Sequence, residues 1–151
     1  MKRKRRLRKS SRTPLAQAKK NLWKELKVIV HKRDYSRCIS CGAKNLEGTN
    51  RQGGHFIPSA SCGGFLRYDL RNVWTQCAKC NLFHSGAGAE YTVALQNKFS
   101  KSFVDRIIKD KQVTIKLDLD YIMRLTEHYQ ILQDKKPREL MDITKTYKGF
   151  K

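Results

Sequence analysis

Between Leu15 and Val30 the apolar positions recur at helical steps. Leu15, Ala18, Leu22, Leu26 and Ile29 follow at three- and four-residue spacing, Trp23 and Val30 widen the stripe, and Lys19, Lys20, Lys24 and Lys27 fill the positions between. Thr13-Pro14 ahead of the stripe offers an N-cap and a proline at the first helical position, where a missing N–H costs nothing. These signals predict a helix over 13–34 whose lysines face a partner and whose Trp23 belongs to the core. Periodicity is then lost until 77, and the Gly-, Ser- and Asn-rich composition predicts loops around a hairpin with strands at 54–57 and 72–75, the first stopped by Pro58. A short helix is expected after Cys80, a break at Ser85-Gly86-Ala87-Gly88, and a helix over 88–98. Helical spacing resumes after a break at Ser100–Ser102 with Phe103, Ile107 and Ile108, and 112–117 looks extended. Ile122, Leu125, Tyr129 and Leu132 place one face of a last helix over 118–133, and Pro137 lies beyond its end.

This mixture predicts an α+β fold. A chain of 151 residues suits one domain. That domain is expected over 13–136, with the helix at 13–34, a central core at 36–90 and a helical part at 91–136. A basic tail, 137–151, is expected to follow it. Residues 1–12 carry eight cations, Lys2, Arg3, Lys4, Arg5, Arg6, Arg8, Lys9 and Arg12, and almost nothing to bury, which predicts a disordered basic arm that clamps phosphates. Lys and Arg number 33 against 13 Asp and Glu, a formal charge of +20, so the expected partner is a polyanion, and DNA first. No apolar run is long enough to span a membrane and the basic start lacks the apolar segment of a signal peptide, so the expected location is the cytoplasm of the host cell.

Two Cys-x-x-Cys pairs, Cys38/Cys41 and Cys77/Cys80, stand 35 residues apart and supply four thiolates, the ligand set of a closed tetrahedral zinc site. With no open coordination position, that zinc is expected to be structural. The fifth cysteine, Cys62, has no partner at this spacing and is given no role. Arg67 and Arg71 lie between the predicted strands, where their guanidinium forks suit phosphate.

The stretch from 36 to 90 resembles the HNH, or ββα-metal, nucleases: a strand bearing His55, a second strand starting at Asn72, and a helix entered after the last zinc cysteine. The resemblance is closest to the phage NinG family of recombination proteins, carried by Cys38–Cys41, Gly54-His55-Phe56, Leu66–Asp69, Asn72 and Gln76–Asn81. It implies a zinc-stapled ββα-metal core with flanking helices, and a structure-selective endonuclease acting on branched DNA such as Holliday junctions and D-loops. By the family pattern His55 is the general base, Asn72 holds the loop between the strands, and Asn81 gives an oxygen to a catalytic Mg²⁺ or Mn²⁺. His84, three residues on, is a second ligand or a phosphate contact. Such enzymes usually carry an acidic residue or histidine immediately before the catalytic histidine, and here that position is Gly54; Asp69 is a substitute only if its loop folds back. Resolving a symmetric junction takes two cuts, which suits a homodimer. Two other readings compete: a noncatalytic zinc module that holds DNA junctions or single strands, which Gly54 favours, and a basic RNA-binding zinc protein.

Overall fold

A computed structural model describes residues 13–150. Helix α1, Pro14–Arg33, starts where the cap signal puts it: Thr13 Oγ1 accepts the Ala16 N–H at 3.3 Å. Leu22, Leu26, Ile29 and Val30 along its stripe are fully buried. They pack against Ile122, Leu125, Tyr129 and Leu132 of a later helix, α4, Leu119–Leu132. Each such side chain contributes about 1.5 to 3 kcal/mol by leaving water, so the α1–α4 pair is the main spine of the molecule. Asp118 caps α4 by accepting the Tyr121 N–H at 3.0 Å.

Across this spine lies an antiparallel hairpin. Strand β1, Arg51–His55, pairs with β2, Val73–Cys77, in a register that sets Arg51 opposite Cys77, Gly53 opposite Thr75 and His55 opposite Val73. β1 lies three residues earlier than the sequence predicts at its start and ends at His55 rather than Ile57. The cause is Asn72, whose carboxamide accepts the Ile57 N–H at 2.7 Å and donates to the Ile57 carbonyl at 3.0 Å. Those two groups are therefore taken by a side chain instead of a ladder. The start of β1, Arg51-Gln52-Gly53-Gly54, has no β-branched residue to announce a strand.

Beyond β2 the chain makes a π-helical turn, Lys79–Phe83, then α2, Gly88–Lys98, and α3, Lys101–Asp110, which Ser100 caps through the Phe103 N–H at 3.1 Å. Trp74, Tyr91, Leu95, Phe103, Val104 and Ile107 form a second core, with Cys62 and Leu66 in it. Of the 112–117 segment, expected to be extended, only Thr114 pairs as a strand would, through an isolated bridge with Gly64; Ile115 N–H donates to the Gly63 carbonyl at 3.3 Å, and Gln112 lies in a turn. Residues 137–151 were expected as a basic tail; instead Pro137–Thr146 form α5, and Leu140 and Thr144 are fully buried against the first core. Pro137 sits at its first turn, where proline begins a helix as readily as it follows one. The expected arm, with Lys2, Arg3, Lys4, Arg5, Arg6, Arg8, Lys9 and Arg12, lies outside the described residues.

One buried cation ties the layers together. Arg33, fully buried, donates to the carbonyls of Leu70 and Val73 at 2.7 and 2.8 Å, pairs with Asp34 at 2.7 Å and lies 3.6 Å over the Trp74 ring. Every polar end of the guanidinium is thus occupied, which is the condition for a charge to sit in a core.

Candidate metal clamp and active site

The two cysteine pairs, far apart in sequence, meet because β2 carries the second pair to the knuckle that holds the first. Ile39 N–H donates to the Thr75 carbonyl at 2.8 Å, and Cys38 closes its own turn through Ala43 and Gly42, whose φ of 75° suits glycine. The four Sγ atoms of Cys38, Cys41, Cys77 and Cys80 lie within 4.8 Å of one another, with Cys41 and Cys77 at 3.8 Å. A tetrahedral zinc with Zn–S bonds of about 2.3 Å needs sulfur edges of about 3.8 Å. The donor set therefore fits zinc. Burial, with the neighbouring Cys77 thiol next, pushes the Cys80 thiol upward, so four thiolates require a cation to hold them. Leu46 and Ala87 complete a small apolar shell around the sulfurs.

His55 closes β1. Its Nε2 is 2.9 Å from the Arg67 carbonyl, so in the neutral ring Nε2 carries the proton and Nδ1 is the free lone pair. The ring lies flat on Trp23 of α1, centroids 5.1 Å apart at 4°. Burial lowers its pKa below the usual 6.5, against the opposing pull of the Arg67 carbonyl. His55 is therefore neutral at pH 7, fixed in tautomer and in plane.

Asn72 is fully buried, and besides Ile57 it reaches the Leu66 carbonyl at 3.0 Å. It fastens the 56–72 loop to the hairpin and makes no bond to the His55 ring. Asn81, in the π-helical turn, donates through Nδ2 to Gln52 Oε1 at 2.7 Å. The Gln52 amide is oriented by its own Nε2 donating to the Thr49 carbonyl at 3.0 Å. Asn81 Oδ1 is thereby left as the free end. Asn81 lines a cleft of about 390 Å³ with Trp23, Lys27, Arg51, Gln52 and Gly53. His84 is not brought into that cleft. The expectation that it shares a face with Asn81 assumed an α-helix, but the turn is π-helical, with His84 N–H bonded to the Lys79 carbonyl five residues back, and the wider turn leaves the His84 ring exposed.

Gly54 is closed off. A Cβ on it would lie 1.8 Å from Gln76 Oε1, so the Gln76 amide occupies the space where a metal-binding side chain would begin. Gln76 Nε2 is held by Ser40 Oγ at 2.7 Å and the Gly86 carbonyl at 2.8 Å, Gln76 Oε1 is buried with no partner, and Tyr91 OH donates to the Gly54 carbonyl at 2.9 Å. Asp69 does not substitute: its carboxylate, 3% exposed, accepts the Arg71 backbone N–H at 2.8 Å and the Arg71 guanidinium at 2.8 Å.

Arg71, expected to bind nucleic acid, is a structural cation. It is 2% exposed, bridges Asp69 and Asp110 at 2.8 Å each, and those partners raise its pKa against the opposing effect of burial. Arg67 is exposed, and its carbonyl holds His55. Trp23 was expected as core alone; it is half-buried and supports the His55 ring, a role a single helical tryptophan does not advertise. Gln76 and Tyr91 also escaped notice, although Gln76 stands directly before Cys77 in the motif.

The geometry defines an α+β protein in which a four-cysteine clamp, fit for zinc, fixes a histidine-bearing hairpin. Residues 1–139 match the family model described as bacteriophage lambda NinG protein, and the chain belongs to that family. Among curated relatives it is 39% identical over 70 residues to protein ninG of Escherichia phage 933W, 46% of this chain and 33% of that one. It is 37% identical over 73 residues to that of Salmonella phage P22, 48% of this chain and 34% of that one. To that of Escherichia phage lambda it is 36% identical over 70 residues, 46% and 33%. The matched stretch thus spans about a third of each relative's length. No solved structure matches significantly. No helix among the described residues is long and apolar enough to cross a membrane.

Proposed function

We propose that the protein is a metal-dependent endonuclease of the ββα-metal type that cuts branched DNA in the host cytoplasm. The observation that carries this reading is His55: neutral, tautomer fixed by the Arg67 carbonyl, plane fixed by Trp23, and Nδ1 free. Nδ1 accepts a proton from water as the water oxygen bonds to phosphorus and the P–O3′ bond breaks. Asn72 holds the 56–72 loop, and with it the Arg67 carbonyl, in register with β1. A divalent ion supplies charge stabilisation at the phosphate and the departing 3′ oxygen. Asn81 Oδ1 is an oxygen available to it, and among the described residues no carboxylate lines the cleft. That set fits a cation that arrives largely on the substrate's own phosphate oxygens and keeps its waters, as Mg²⁺ and Mn²⁺ do.

The test is nicking of a synthetic four-way junction with Mg²⁺ or Mn²⁺. Wild type should cut and His55→Ala should lose at least 100-fold, on the order expected for a general base, while still binding the junction. Wild type that binds tightly and never cuts with either ion would establish the second reading, a noncatalytic junction-binding zinc module. One observation favours that reading: Gln76 fills the position from which the usual acidic ligand would come.

A further inference from the structure

A second cleft lies away from His55, along the outer side of α1. It has a volume of about 490 Å³, and Lys24, Lys27, Lys32 and Arg51 stand around it. It shares Lys27, Gly48 and Arg51 with the Asn81 cleft, so the two form one furrow running from the C-terminal half of α1 to Trp23 and Gly53. Among the described residues, no Asp or Glu lines either part. The cations are placed by the fold. Arg51 Nη1 donates to Ser36 Oγ at 3.1 Å, Ser36 is held at φ 50° with its N–H on the His31 carbonyl, and Lys32 Nζ donates to the Gln133 carbonyl at 2.6 Å. A left-handed backbone at a residue other than glycine persists only where its surroundings over-determine it; here it aims an arginine. His31, in the middle, is held down to about 4 by burial and by Arg51, so the furrow's charge at neutral pH comes from lysine and arginine alone.

We infer that this furrow is the track of a DNA strand's phosphate backbone, leading the scissile phosphate towards His55 and Asn81. From Lys24 to Lys32 the helix rises about 12 Å at about 1.5 Å per residue, enough to meet about three phosphates at about 3.4 Å of rise each. Lysines and a tethered arginine on phosphates give affinity that ignores sequence. The inference rests on the nuclease reading for the choice of DNA and the direction of the track, and not on cleavage for the binding itself.

The experiment is a fluorescence-anisotropy titration of a labelled four-way junction with the full chain, without added divalent ion, from 50 to 200 mM salt. Wild type is compared with Lys24→Gln/Lys27→Gln/Arg51→Gln and with Lys109→Gln/Lys111→Gln/Lys116→Gln, which removes equal charge elsewhere. The furrow variant should lose at least tenfold in affinity at 150 mM salt, and its log–log salt slope should shrink by about 2.7, three contacts at about 0.9 each. The control should bind within threefold of wild type. Equal losses in the two variants, or an unchanged slope in the furrow variant, overturn the inference. Tighter, furrow-dependent binding of an RNA hairpin overturns the assignment to DNA. Furrow-dependent junction binding by a wild-type chain that never nicks supports the track and retires the nuclease.

Discussion

Replacing Gly54 by alanine isolates the oddest feature of the site. The backbone there is outside the left-handed region, so alanine meets no conformational objection, and it even reduces the entropy of the unfolded chain by about 0.4 to 1 kcal/mol. The cost is space. The new methyl would sit 1.8 Å from Gln76 Oε1, 2.6 Å from its Cδ and 2.9 Å from its Cγ, and the amide must leave. Gln76 is fully buried, so its amide cannot swing into water, and leaving breaks the bonds to Ser40 Oγ and the Gly86 carbonyl. Two hydrogen bonds at about 1 kcal/mol each and overpacking of about 1 to 3, less the entropy gain, give a net loss of about 2 to 4.5 kcal/mol. For a chain of this size that lowers the melting temperature by roughly 4 to 18 °C. Urea denaturation of Gly54→Ala, Gln76→Ala and the double variant measures it. Gln76→Ala removes the obstacle, so adding Gly54→Ala to it should cost under about 0.5 kcal/mol, a coupling of about 1.5 to 4 kcal/mol. A single Gly54→Ala within about 0.5 kcal/mol of wild type, or one that costs the same in both backgrounds, would refute the reasoning. The same arithmetic bears on the site: Gly54→Asp does not place an acidic ligand beside His55, because the carboxylate has no room to begin.

Two further predictions concern metal and pH. The chain should hold one zinc, measurable by elemental analysis; replacing Cys77 by alanine should abolish it and disorder the hairpin, seen as loss of β2 amide protection in hydrogen exchange, because zinc binding energy here is folding energy. A metal-free chain with the wild-type melting temperature would remove the clamp. His31, bonded to Thr75 Oγ1 at 2.9 Å, has a folded pKa of about 4 against 6.5 unfolded, so below pH 6.5 the unfolded chain takes up a proton that the folded chain refuses. Its contribution is therefore intact above pH 6.5 and falls progressively as pH drops towards 4, by up to about 3 kcal/mol at about 1.4 per unit. Chemical denaturation at pH 7 and pH 4.5 should show a smaller drop in His31→Gln than in wild type, and parallel drops in the two would contradict it.

How far the sequence led depends on whether a feature repeats or converges. α1, α4 and the Thr13 cap are repeated local signals, each deciding its own neighbourhood, and they fell where expected. The four-cysteine cluster was legible because a site fit for zinc enforces spacing: two thiols must come from each tight turn. α5 was missed although Leu140, Thr144 and Tyr147 hold helical steps, since ten residues rich in charge carry too short a stripe to outweigh a proline read as a stop. Arg71 was misjudged for the opposite reason. An arginine between two strands looks free until the fold brings Asp110, 39 residues away, to meet it. His55 is the mixed case. Its motif marked it, but what makes it usable as a base, a carbonyl from Arg67 on one edge and Trp23 from α1 under its face, comes from segments 12 and 32 residues distant. The Gly54–Gln76 pair is the extreme: glycine there is the imprint of a side chain from the facing strand, two register positions past Trp74, the residue opposite Gly54. Absence of a side chain can be read only once the neighbour that needs the space is known, so a residue that looks like a missing ligand from the sequence is, in the fold, the socket for another amide. On the nuclease reading proposed above, a catalytic ion is held from Asn81 rather than from Gly54, with the substrate's phosphate supplying the remaining oxygens.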